Sequence, residues 1–296
     1  MICLFVIELL VLSCRVVGSS DSDGGGCGDR NGSQELHMQE DSAAFWFSQT
    51  GSQDNMAIRG LETLLKKNAT LNKIWNYAQS RFEGDVPPGL RKEHIIAIFV
   101  YTNNGPWYKA LNDGIMKFGN IAEYNSKFNL TGFHYLLTVA LQSLGKSSEQ
   151  LHVYRGTRVP WFGKQGQLMR FGKFASTSHN RSVSERFGNT TLFELNTRYG
   201  VAIQNYSLNV THEEVLIPPY ERFEIVGARG TNHACTFILR SRGYQGVEVG
   251  LQWDSSGRLS VYRKTFSWWA WLLIAVAIVV ALLGAGACLY KCFGRD

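Results

Sequence analysis

The chain has 296 residues, 45% of them apolar, and a formal net charge of +6. That length holds one large domain or two small ones. The 30 lysines and arginines are spread along the chain and form no basic block, which argues against a nucleic-acid partner.

Residues 1–18 read as a secretory signal peptide, an apolar run followed by the small residues Val16, Val17 and Gly18. A signal anchor is the alternative, although the run is short for a membrane span. Residues 19–40 begin rich in Gly, Ser and Asp and read as a mobile leader. A helical half follows. Leu71, Ile74, Trp75 and Ala78 recur at helical spacing, residues 92–101 are strongly apolar, and "FHYLLTVALQSL" reads as a buried helix stopped by Gly145. From about Leu151 the pattern changes to short β-rich runs: "LHVYRG", "RFGKFAST", "TTLFEL", "VAIQNYS", "EVLIPP", "FEIVGA" and "CTFILR". Helices first and strands afterwards predict an α+β domain, set at residues 41–254.

Residues 255–267 read as a basic stalk. Residues 268–290 carry no charge, with Trp268, Trp269 and Trp271 at one edge and Tyr290 at the other. This predicts a C-terminal apolar helix crossing the membrane, with 291–296 as a short cytoplasmic tail bearing Lys291 and Arg295. The small residues Ser255, Ser256 and Gly257 ahead of the apolar tail keep a glycolipid-anchor signal as the alternative to a type I span. Either way the bulk of the chain faces the extracellular side of a membrane. Asn31, Asn68, Asn129, Asn180, Asn189, Asn205 and Asn209 all stand in N-x-S/T glycan acceptors, which suits that compartment. Of the six cysteines, Cys3 and Cys14 leave with the signal, and Cys288 and Cys292 lie in or beyond the apolar tail. Cys27 and Cys235 remain, and two cysteines in an oxidising space have a single pairing; two free thiols are the alternative.

No Gly-rich phosphate loop, zinc cluster or serine-hydrolase elbow is present, and the histidines lack ligand spacing, so no metal is expected. Chemistry must come from the β-rich half. In "HEEVLIPPYE" an extended backbone puts His212 and Glu214 on one face and Glu213 on the other; a solvated acidic turn is the bland alternative. "VYRGT" puts Arg155 at a strand end, ahead of a glycine that lets the backbone approach a ligand. "FGKFASTSH" puts Ser176 and Ser178 on one face of another strand. Taken singly, these are an ion-paired arginine and ordinary strand hydroxyls.

In this order, Arg155, Ser176-x-Ser178 and Glu214 resemble the arginine–serine–glutamate signature of the ADP-ribosyltransferases. The fuller match is to the vertebrate ecto-ADP-ribosyltransferases that modify arginine, through "VYRG", "RFGKFASTS", "RFGNTTLFEL", "IQNYS", "EEVLIPPYE", "FVYTNN" and "FHYLLTVAL". The resemblance implies a helical half packed on a mainly antiparallel β core. It implies an enzyme that splits NAD, with NADP as an alternative donor, releases nicotinamide and passes ADP-ribose to arginine on extracellular or cell-surface proteins. It implies that Glu214 stabilises the cationic ribose, Arg155 holds the diphosphate, and Ser176 braces Glu214, with Ser178 as its rival. Gly156 and Thr157 would meet the nicotinamide amide, and Tyr101, Phe187 and Ser207 would be wall residues, with Phe187 stacking on nicotinamide. One position departs from the family. The arginine-modifying members carry Glu-x-Glu, and here His212 holds the place of the first acid. A neutral imidazole offers one acceptor and no charge to a guanidinium. Strand alternation aims the neighbouring Glu213 elsewhere. An NAD glycohydrolase and a catalytically silent surface binding protein are therefore the rival expectations. Lys173 also stands where several relatives carry glutamine.

Overall fold

The computed structural model describes residues 27, 32–103, 105–145, 150–207, 210–231, 234–264, 276 and 278. After two short strands, β1 (Gln34–Glu35) and β2 (Phe45–Phe47), come six helices: α1 (Gly51–Lys67), α2 (Ala69–Arg81), α3 (Lys92–Thr102), α4 (Pro106–Lys117), α5 (Ile121–Lys127) and α6 (Thr131–Leu144). The β-rich half holds β3 (Leu151–Thr157), β4 (Trp161–Phe162), β5 (Leu168–Arg170), β6 (Ala175–Ser178), helix α7 (Arg181–Glu185), β7 (Thr191–Thr197) and β8 (Val201–Ala202). It ends with β9 (Glu214–Ile217), β10 (Glu221–Thr231), β11 (Ala234–Tyr244), β12 (Val247–Trp253) and β13 (Leu259–Arg263).

Local chemistry sets the helix starts. The Thr50 side chain accepts from the Gln53 amide and begins α1; Asn68 does the same for α2, accepting from the Leu71 amide at 2.9 Å. Every residue of α3 from His94 to Tyr101 is buried, as a helix apolar on all sides requires, and α3 packs against α2, α4 and α6. Gly145 caps α6, its amide donating to the Leu141 carbonyl.

The eight-stranded sheet runs in the order β5-β10-β11-β7-β3-β6-β9-β8, and only the β11–β7 pair is parallel. One apolar cluster fills the helical half and a second lies in the sheet half around Phe193, Phe223 and Phe237. The architecture is therefore α+β with a mixed, mostly antiparallel core.

Several sequence expectations need correction. The expected stalk is folded: β13 pairs with β12 and buries Leu259, Ser260 and Val261, so the domain runs past residue 254. The leader is folded at its end, because β1 pairs with β4 and Leu36 is buried. Cys27, inside the same leader, is disulfide-bonded to Cys235 on β11, with Cα atoms 5.4 Å apart. "RFGKFAST" is not one strand: Gly172, at φ +65°, breaks it between β5 and β6. "VAIQNYS" is a two-residue strand followed by a 3-10 turn over Gln204–Tyr206. β2 lies inside the helical half of the sequence yet pairs in parallel with β12. Residues 1–18 and nearly all of 268–290 lie outside the described residues. Among the described residues no helix is long and apolar enough to cross a membrane.

Candidate active site

Three neighbouring strands carry the signature residues. β3 brings Arg155, Gly156 and Thr157, β6 brings Ser176 and Ser178, and β9 opens with Glu214. Register does the alignment: Tyr154 pairs with Ser178, and Ser178 with Glu214. Residues 60 positions apart in sequence thus meet at one end of adjacent strands. They line a cavity of about 490 Å³ together with Phe187, Ser207 and His212.

Glu214 is 8% exposed. Burial pushes its carboxyl above the usual value, and hydrogen bonding from Ser176, the charge of His212 and hydrogen bonding from Ser207 pull it partly back. Ser207 Oγ lies 3.4 Å from Oε2. Arg155 Nη1 donates to the Ser176 carbonyl at 2.6 Å. Ser178 does not share the bracing of Glu214. Its Oγ donates to the His212 carbonyl at 2.7 Å and accepts from the Asn180 amide at 3.0 Å, so it pins the loop that leads into β9.

The expectation of an extended backbone through His212 is overturned. Val210–His212 is a 3-10 turn, and Glu213 adopts φ +44°, a left-handed conformation uncommon for a side-chain-bearing residue. That twist leaves Glu213 exposed and off the cavity wall, while His212 lines it. The same two residues end up apart as alternation predicted, by a different backbone. The His212 ring meets the exposed Phe187 ring edge-on, with centroids 5.9 Å apart.

Gly156 has a role beyond ligand approach. A Cβ there would stand 2.3 Å from both the Ser184 and the Gly188 carbonyl oxygens, so the glycine lets the α7 segment close over β3. Ser184 Oγ fastens the same contact by donating to the Tyr154 carbonyl at 2.7 Å. Thr157 lies on the wall, and its Oγ1 accepts from the Val159 amide.

Tyr101 is not a wall residue. It is 1% exposed at the end of the buried helix α3; its hydroxyl donates to the Phe174 carbonyl at 3.0 Å and accepts from Asn112 at 3.1 Å. Thr102, one residue on, and Tyr108 of α4 line the cavity instead. Nothing in the sequence pattern singled them out, because a helix position shows its facing only once its neighbours are known. A second cavity, of about 650 Å³, shares Arg155 and Thr157 with the first and extends past His37, Trp161, Arg170 and Lys173. Arg155 thus stands where two cavities adjoin.

A family profile described as NAD:arginine ADP-ribosyltransferase matches residues 43–246. The chain belongs to that family. Among curated relatives, the erythroblast NAD(P)(+)--arginine ADP-ribosyltransferase of Gallus gallus is 35% identical over 185 residues, covering 60% of this chain and 62% of the relative. The GPI-linked NAD(P)(+)--arginine ADP-ribosyltransferase 1 of Oryctolagus cuniculus is 38% identical over 148 residues, covering 48% of this chain and 45% of the relative. The chain thus spans less than two thirds of either relative's length. Among solved structures, the eucaryotic mono-ADP-ribosyltransferase ART2.2 superposes with a TM-score of 0.59 at 26% identity, over 79% of this chain and 96% of that one. A glutamate-to-alanine variant of ART2.2 in complex with NADH superposes with a TM-score of 0.58 at 27% identity. In this chain the matched segment runs from Ala43, just ahead of β2, to Gly246, just ahead of β12, and so contains every strand that lines the cavity.

Proposed function

We propose that the protein transfers ADP-ribose from NAD to arginine on proteins at the cell surface and releases nicotinamide. The observation that carries this reading is a buried Glu214 carboxylate, held by serine hydroxyls, on the wall of a cavity that Arg155 also lines. In this reaction the bond between ribose C1′ and the nicotinamide nitrogen breaks. Its electron pair leaves with nicotinamide, which departs neutral and needs no general acid. Positive charge develops on the ribose. Glu214 stabilises that cation and hydrogen-bonds a ribose hydroxyl, and Ser176 keeps the carboxylate aimed. A preorganised group of this kind contributes about 3–4 kcal/mol to transition-state stabilisation. Arg155 offers a fork of donors to the diphosphate. Phe187 offers its exposed face to the nicotinamide ring. The guanidinium nitrogen of the acceptor then bonds to C1′ and loses a proton. NAD is the donor, and NADP is an alternative, since the relatives' names carry both.

Relatives named as GPI-linked and ecto-enzymes support display at the cell surface. A retained type I span and a glycolipid anchor differ in one assay: phosphatidylinositol-specific phospholipase C releases only the anchored form from cells.

His212 favours a second reading, an NAD glycohydrolase in which water takes the ribosyl cation. It is the imidazole, and not Glu213, that faces the cavity beside Glu214. Labelled NAD given to the full-length chain, with and without a small guanidino acceptor, separates the readings. Label on the acceptor supports transfer, and free ADP-ribose alone supports hydrolysis. Intact NAD after incubation with folded protein sinks both and leaves a silent surface protein. If hydrolysis is the outcome, His212→Glu should restore transfer.

A further inference from the structure

Lys173 follows the Gly172 turn and is half-buried on the wall of the second cavity, the one that shares Arg155. Among the described residues no ion pair or hydrogen bond engages its ammonium. The charges that reach it are mostly of its own sign. Arg155 and Lys109 repel it, and Asp113, the acid that attracts it, is ion-paired with Lys109 on the same helix. Burial, and after it Arg155, hold the ammonium below the usual lysine value. Glu35 on the same wall accepts instead from Gln167, at 3.3 Å. Arg155 has no carboxylate within ion-pair distance among the described residues either; its Nη1 donates to a backbone carbonyl.

Two half-buried cations on one cavity wall, neither in an ion pair among the described residues, repel each other, and the more distant charges of Asp113 and Glu214 offset only part of that. A lone cation so placed is costly to folding. The arrangement becomes favourable when a multiply charged anion enters between them, because each cation then gains a charge-assisted hydrogen bond. We propose that Lys173 is a second phosphate-holding residue of this site, acting with Arg155 on the diphosphate of the dinucleotide. This rests on the NAD reading above for its substrate and on the second cavity for its position. Lysine suits the task as a point charge that needs no fixed fork. It also gives the side chain a purpose that neither packing nor pairing supplies.

ADP tests the idea, because it carries the diphosphate and no nicotinamide. Calorimetric titration of the full-length chain with ADP should show binding about tenfold weaker for Lys173→Gln and mostly recovered for Lys173→Arg, as expected for loss of a hydrogen bond to a charged group. The kinetic loss of Lys173→Gln should fall on KM for NAD more than on kcat. Its melting temperature should equal or exceed that of the unmodified chain, since an unpaired buried charge is removed. Equal ADP affinity in both proteins would overturn the proposal. So would a loss confined to NADP with ADP binding unchanged, which would put the ammonium on the 2′-phosphate. Lys173-dependent ADP binding in a chain that never consumes NAD would leave this inference standing and sink the transferase reading, so the two fail separately.

Discussion

The guanidinium of Arg155 donates from Nη1 to the backbone carbonyl of Ser176 across 2.6 Å, tying the diphosphate-holding candidate to the strand that braces Glu214. One planar fork serves two purposes: it has a donor for the neighbouring strand and others left for a ligand. Replacing Arg155 with Lys keeps the charge and loses that division of labour. We expect KM for NAD to rise by about 10- to 100-fold, with steady-state kinetics as the check; an unchanged KM would remove Arg155 from the binding site.

Glu214→Gln separates activity from stability. NAD cleavage should fall by about 100- to 1,000-fold. Burial raises the Glu214 pKa in the folded chain above its unfolded value, so the folded form holds its proton more tightly. The stability this contributes is full below the unfolded value and is lost as pH rises through the folded one. At neutral pH the glutamine variant should therefore melt higher than the parent, and the gap should close below about pH 4.5. Melting curves across pH 4 to 8 decide it. A variant that melts lower at pH 7 would mean that the carboxylate is needed for packing.

The two serines of β6 should fail in different ways. Ser176→Ala removes a hydrogen bond to Glu214 and should lower kcat with little loss of stability. Ser178→Ala leaves the His212 carbonyl and the Asn180 amide without their shared partner, and should cost about 1–3 kcal/mol of stability before it affects chemistry. Paired denaturation and turnover measurements on both variants test the contrast, and a reversed ranking would exchange the serines' roles.

His134 predicts acid lability. It sits among Phe45, Phe47 and Phe174, and its Nδ1 lies 2.9 Å from the Tyr124 hydroxyl. Burial lowers its pKa from 6.5 to about 3. The unfolded chain therefore takes up a proton between those values that the folded chain refuses. Stability is full above 6.5 and falls with decreasing pH through the folded value, by up to about 1.4 kcal/mol per pH unit. His134→Phe should flatten that slope, read by denaturant titration between pH 7 and pH 4. An unaltered slope would assign the acid sensitivity to other groups.

Much of the site was legible because its residues sit at strand ends inside short local patterns. Arg155 before Gly156, the Ser176-x-Ser178 alternation and Glu214 ahead of an apolar run each carry their facing in the two-residue period of a strand. Helices α2, α3 and α6 announced themselves through periodicity or a continuous apolar run. Other features depend on partners far away in sequence. Leu259–Arg263 looked like stalk because a five-residue strand has little signal of its own; pairing with β12 makes it one. Phe45–Phe47 became a strand only because Val247–Val249 lies beside it.

By itself, the amino-acid sequence determined the helical and β-rich halves, since they are written in residue type and in spacing that the backbone period converts to direction, while the arginine–serine–glutamate set and the departure at His212 came from resemblance to a family. Only the tertiary structure decided that the Ser178 hydroxyl turns to the His212 carbonyl, that Thr102 and Tyr108 replace Tyr101 on the wall, and that Lys173 shares a cavity with Arg155. Those outcomes turn on strand register, on a left-handed Glu213 and on which helix face meets the sheet. Such quantities belong to the packing of distant segments, and no local stretch of chain contains them.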